Sequence, residues 1–170
     1  MVFIKTFEEY KLLSKEVTEL IFDDNFNKKI KISYYIKKIQ FGNYFNKKVA
    51  IPNSVTHLTF GDYFNKKVTV PNSVIYLTFG SSFNKNINMP NSVIHLTFKN
   101  YFNKKIEVSK NIISFVYPSE SNIIYKINIY NLVKLHICNV KLTNVSALEN
   151  IHTLILSYCI KITDISALEN

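Results

Sequence analysis

At 170 residues the chain has the length of one domain, and 47% hydrophobic residues suffice for a packed core, which excludes a disordered tail. The net charge of +9 is carried by lysine without any arginine, and it is uneven: residues 1–25 hold three Lys against six acids, 26–110 fourteen Lys against Asp62 and Glu107, and 111–170 four of each. No apolar run reaches the roughly 18 residues of a membrane span, Met1–Glu9 does not read as a secretion signal, and the two cysteines, Cys138 and Cys159, make no disulfide framework. The expectation is therefore an intracellular protein with reduced thiols.

In chain order, residues 1–16 come first. Thr6-x-x-Glu9 matches a capping box, and Phe7, Tyr10 and Leu13 have the apolar spacing of a short helix. That segment is expected to cap the first coil of a repeat. From residue 17 onward, strand-like runs recur: VTELIF (17–22), YIKKIQF (35–41), VTHLTF (55–60), VIYLTF (74–79) and VIHLTF (93–98). Their alternation and β-branched content predict strands. Phe-Asn comes after each run, at Phe26-Asn27, Phe45-Asn46, Phe64-Asn65, Phe83-Asn84 and Phe102-Asn103, always 19 residues apart.

The frame persists past the Phe-Asn pairs. One apolar column reads Leu20, Ile39, Leu58, Leu77, Leu96, Phe115, Leu135, Leu154; a second reads Phe22, Phe41, Phe60, Phe79, Phe98, Tyr117, Ile137, Leu156. Every step is 19 except one of 20 between the sixth and seventh rungs. A side chain at fixed phase meets its copy on the next coil, about 4.7–4.9 Å away in a parallel sheet. Eight stacked strands in one solenoid domain spanning 1–170 are predicted, mainly β, since so short a coil leaves little room for a helix on the side opposite the sheet. Within it, 17–117 and 132–170 form two subtypes of coil. Residues 118–131 are a degenerate junction, where Ser121-Asn122 replaces Phe-Asn. The final Ile165–Asn170 repeats Val145–Asn150, which precedes a strand, so the last coil is expected to lack a cap and either to fray or to associate through its open edge.

The first subtype resembles the FNIP repeat, a relative of the leucine-rich repeat. The resemblance rests on Phe45-Asn46, Val49, Ile51-Pro52, Ser54-Val55, Leu58 and Phe60-Gly61, and on their copies in the next two coils. The second subtype, LVKLHICNVKLTNVSALEN and its successor, resembles an ordinary leucine-rich repeat. Such families occur mostly in social amoebae and in giant viruses of amoebae. The resemblance implies a right-handed solenoid with a parallel sheet on its concave side. Some viral relatives carry an N-terminal F-box; about 16 residues before the first predicted strand are too few for one.

Three side-chain columns are candidates for function. Asn27, Asn46, Asn65, Asn84, Asn103 and Asn122 share one phase and predict an asparagine ladder that satisfies backbone groups. Lys28-Lys29, Lys47-Lys48, Lys66-Lys67, Lys85 and Lys104-Lys105 form a basic stripe. On the outward sheet face one column runs Glu19, Lys38, His57, Tyr76, His95, with His136 in the neighbouring column. No catalytic motif, cofactor loop or metal-ligand set is recognisable, so no enzyme, cofactor or metal is expected. The predicted function is a non-enzymatic protein-binding scaffold with Lys38, His57, Tyr76, His95 and His136 at the contact. The alternative is a polyanion module, for an acidic protein, nucleic acid or anionic surface, using the lysine stripe. Nucleic acid is the weaker choice, because arginine is absent and no recognised module is present.

Overall fold

Alternating apolar and polar residues at a fixed repeat phase leave each coil one short strand, and the strands pair in chain order. The computed structural model describes residues 1–11, 16–99, 102, 104, 111–117, 134–138 and 153–157. The elements are β1 (Val2–Ile4), α1 (Phe7–Lys11), β2 (Glu19–Phe22), β3 (Lys38–Gln40), β4 (His57–Thr59), β5 (Tyr76–Phe79), β6 (His95–Phe98), β7 (Ser114–Tyr117), β8 (Lys134–Cys138) and β9 (Thr153–Ser157). The nine strands of the described residues form one sheet in sequence order, and every neighbouring pair is parallel. The predicted solenoid is thus present.

The predicted register holds at each rung. Leu20 pairs with Ile39, Ile39 with Leu58, and so on to Leu135 with Leu154. The single 20-residue step does not slip it, since Phe115 still faces Leu135. A slip by one residue would turn every core side chain to solvent, so the extra residue has to be accommodated outside the strands.

One expectation is corrected. The repeat phase predicts eight strands, beginning at residue 17, but β1 adds a ninth: Val2, Phe3 and Ile4 pair with Leu20, Ile21 and Phe22. Its three residues are too few to show periodicity, and its step to β2 is 18 residues, so it falls outside the 19-residue phase. The capping box forms as expected: the Glu9 N–H donates to Thr6 Oγ1 (3.2 Å), and the Glu9 carboxylate accepts from the Thr6 N–H (3.1 Å) and the Lys5 N–H (2.7 Å). The helix holds Tyr10 6.0 Å from the Phe22 ring, and the Tyr10 hydroxyl donates to the Lys31 carbonyl. Burial, with the neighbouring Tyr35, raises the Tyr10 phenol above its ordinary value. Leu13 lies outside the described residues.

Two turns bend each coil among the described residues up to Val93. At the first, the N–H of the Phe-Asn phenylalanine donates to a carbonyl three residues back: Phe26 to Asp23, Phe45 to Gly42, Phe64 to Gly61, Phe83 to Gly80. Asp23 serves in the first coil, but at 42, 61 and 80 glycine is required because the coils nearly touch. A Cβ on Gly61 would lie 2.2 Å from the Gly42 carbonyl oxygen, and one on Gly80 2.2 Å from that of Gly61. At the second turn Val55 donates to Pro52, Val74 to Pro71 and Val93 to Pro90. Between the turns the chain crosses the side away from the sheet without helix in the described residues.

Phenylalanine fills the first corner. Phe22, Phe41, Phe60, Phe79 and Phe98 stack with ring centroids 5.1–5.4 Å apart. The Phe-Asn column runs beside it at 6.0–6.2 Å from Phe45 to Phe102. The two interlock within each coil, Phe60 lying 3.9 Å from Phe64 and Phe79 3.9 Å from Phe83. Such pairs add about 0.5–1.5 kcal/mol each beyond the area they bury. A further column, Ile36, Val55, Val74, Val93 and Ile112, closes the opposite corner and is fully buried.

The asparagines form the predicted ladder in the described coils. Each side-chain oxygen accepts the backbone N–H of the next coil's asparagine: Asn27 from Asn46 (3.0 Å), Asn46 from Asn65 (3.1 Å), Asn65 from Asn84 (3.1 Å). Asn103 and Asn122 lie outside the described residues, as do the junction 118–131 and the chain after Ser157.

Two substitutions test this packing. Phe64 is 0% exposed, so Phe64→Ala is expected to cost about 3–5 kcal/mol by opening a cavity; a urea titration that finds less than about 1 kcal/mol removes Phe64 from the core. Asn65→Ala strands the Asn84 N–H and is expected to cost about 1–3 kcal/mol in the same titration.

Candidate functional site

The outward sheet face is built by the residues that alternate with the core. Glu19, Lys38, His57, Tyr76, His95 and Ser114 are direct partners on consecutive strands. Parallel pairing in register places them in one row. His57 and Tyr76 stack at 4.3 Å with planes 14° apart, and Tyr76 and His95 at 4.3 Å and 4°. The three rings make one continuous ribbon, with Tyr76 in its middle 42% exposed. Beside it runs a row of threonines, Thr59, Thr78 and Thr97, all half-buried.

The ribbon ends in an ion pair. Lys38 Nζ lies 3.0 Å from Glu19 Oε1, and the hydrogen bond from Lys38 holds the Glu19 carboxyl below its ordinary value. His57 sits next to this pair, and its Nδ1 is 2.9 Å from Thr56 Oγ1. Burial of the ring depresses the His57 pKa below the ordinary 6.5, and the Lys38 charge pushes the same way; Glu19 opposes both. The neutral imidazole is therefore favoured at neutral pH. His136 pairs with Val116 in the neighbouring column, but its side chain, like that of Lys134, lies outside the described residues.

The lysine stripe is placed elsewhere. Lys28, Lys29, Lys48 and Lys67 are exposed; Lys47, Lys66, Lys85 and Lys104 are half-buried; Lys105 lies outside the described residues. They come directly after the asparagine corner, between the two turns, and so lie on the side away from the sheet, apart from the histidine–tyrosine ribbon. Among the described residues the ion pairs are Lys11–Glu8, Lys38–Glu19 and Lys99–Asp62; none involves the stripe. Burial pushes the Asp62 carboxyl up, but the hydrogen bond and charge of Lys99, with two bonds from Ser81, hold it below its ordinary value.

A second aromatic feature emerges only from the structure. Tyr44 and Tyr63 stack at 4.8 Å and 8°, and both are half exposed. Tyrosine before Phe-Asn in three coils, at Tyr44, Tyr63 and Tyr101, is the signal that could have found it. Among the described residues no group of three His, Cys, Asp or Glu could hold a metal ion, and no helix is long and apolar enough to cross a membrane.

Comparison with known proteins agrees with this geometry. The FNIP Repeat family pattern matches residues 32–63 and 47–82. No curated protein matches the chain. Among solved structures, the crystal structure of CroV588, described as a novel circular LRR protein, is similar with a TM-score of 0.70 and 29% identity over 85% of this chain. The chain spans 28% of the length of that protein.

The pKa of His57 gives a test of the outward face. In an NMR titration its ring should change charge at a midpoint below 6.5. Because the folded pKa is depressed, the unfolded chain binds the proton first as pH falls; this group's contribution to stability is full above about 6.5 and is lost on acidification through the interval below it. Lys38→Ser removes the repelling cation and frees Glu19, so the midpoint should rise; an unchanged midpoint contradicts the coupling.

Proposed function

We propose that this chain, a repeat protein of the FNIP/leucine-rich-repeat type, is a non-enzymatic scaffold that holds a partner protein on the outward face of its sheet inside the cell. Lys38, His57, Tyr76 and His95 make the contact, and His136 extends it along the neighbouring column. The observation that carries this reading is the His57–Tyr76–His95 ribbon. The rings are fixed by strand register and by each other, so little side-chain freedom is left to lose on binding. Tyrosine in such a position is a common interface anchor.

Variation along the chain supports the same face. Within the FNIP-like coils the inward positions hardly change, being Leu or Ile in one column and Phe in the next. The outward column runs Glu, Lys, His, Tyr, His through those same coils. Packing dictates the first set, whereas a surface free of packing demands can be fitted to a ligand. The flat row also lacks the enclosed, water-excluding pocket that most enzyme sites need, which favours binding over catalysis.

Partners recovered by affinity capture and identified by mass spectrometry supply the ligand for the test. Tyr76→Ala combined with His95→Ala should weaken binding by about 2 kcal/mol or more in calorimetry, with the circular dichroism spectrum unchanged. Full affinity in that variant, together with loss in a variant with Lys47, Lys48, Lys66 and Lys67 all changed to Ser, moves the site to the side away from the sheet.

A further inference from the structure

The side away from the sheet carries a groove that the sheet-face reading does not use. Its floor is aliphatic: Ile30, Val49, Ile51 and Val68 are partly buried against the core and leave their outer surfaces uncovered. Lys48 and Lys67 stand at its rim on consecutive coils. Its volume is about 510 Å³, within the range of sites that take a few side chains. An adjoining recess is lined by Lys29, Asn46, Lys47, Lys48 and Lys66, so the basic rim continues past the first groove.

Repetition gives this rim an electrostatic cost. Lysines at one phase lie one coil apart, roughly 4.8 Å at the backbone, and like charges so placed repel. Elsewhere lysine finds an acid: Lys38 takes Glu19 and Lys99 reaches two coils to Asp62. No acidic residue among the described ones forms an ion pair with Lys29, Lys48 or Lys67. An anionic ligand would replace that repulsion with attraction, and an apolar one would cover the aliphatic floor.

We propose that this groove binds an extended acidic segment of a protein, with carboxylates on Lys48 and Lys67 and apolar side chains against Ile30, Val49, Ile51 and Val68. Alternate residues of an extended peptide face the same way about 6.6–6.8 Å apart. Lysine stems are long enough to bridge from the coil spacing to that repeat. The floor argues against single-stranded nucleic acid, which is held by aromatic platforms for its bases; no aromatic residue lines this groove. It argues against a bilayer too, because the apolar residues are recessed behind the lysines.

The test uses the full chain and a short fluorescein-labelled peptide of alternating Glu and Leu, read by fluorescence anisotropy. It should bind, and binding should weaken as salt is raised. Lys48→Ser with Lys67→Ser should weaken it by about tenfold or more, and so should replacing Leu by Ser in the peptide. Lys48→Glu with Lys67→Glu should instead bind a Lys–Leu peptide, a gain that misfolding cannot produce. Tyr76→Ala with His95→Ala should leave peptide binding unchanged, which separates this groove from the sheet face. The proposal is overturned if no peptide binds or if the Glu–Ser peptide binds as well as the Glu–Leu one. Tighter binding of oligothymidylate or of phosphatidylserine vesicles than of the peptide, or loss of peptide binding in the Tyr76 and His95 variant, overturns it equally.

Discussion

Parallel stacking at a fixed phase is the constraint on which the other features rest. A nineteen-residue coil has no interior of its own; Phe60 becomes core only because Phe41 and Phe79 lie above and below it at 5.1 and 5.4 Å. The same repetition that builds the core fixes everything outside it. Glycine at 61 lets one coil approach the next, the approach brings Asn65 within reach of Asn46, and that bond holds the corner from which the lysines project. Removal of one contact therefore acts on two coils at once, because each contact is shared between neighbours.

This constraint also explains how a chain with only three glycines and four prolines makes so many turns. Each turn bond is repeated from coil to coil, and asparagine supplies side-chain acceptors where backbone partners run out. Serine does the same at the other corner, where Ser54 and Ser73 donate to the Ile36 and Val55 carbonyls at 2.7 Å. Ser92 holds the equivalent place with its hydroxyl buried and unpaired. That difference falls in the coil where Met89 stands before proline in place of Ile51 and Val70.

Most of the fold is legible in the sequence because repetition removes the ambiguity of short apolar runs. Eight copies of one phase state register as well as strand. A lone run such as Val2–Ile4 cannot do so, and β1 is invisible for that reason. Outward positions are legible as positions: alternation says that His57, Tyr76 and His95 share a row. Their ring stacking is not legible, since rotamers depend on neighbours that a one-dimensional pattern does not contain. The lysine stripe reads as charge alone. Its aliphatic floor comes from residues one and three positions after the rim lysines, Val49 and Ile51 after Lys48 and Val68 after Lys67, and only the stacking of coils joins them into one surface.

The asparagine ladder is directional: the side-chain oxygens of Asn27, Asn46 and Asn65 each accept from the coil after their own. Adding or deleting a whole coil therefore leaves an unbroken ladder, for the new neighbours offer the same oxygen and the same N–H. Duplication or loss of one whole coil thus preserves this hydrogen bond at the new junction. Indels of any other size have to be absorbed between strands, as the twenty-residue step before Leu135 is. Coil number is thus free to drift while coil length is held, and a binding row can be extended one side chain at a time.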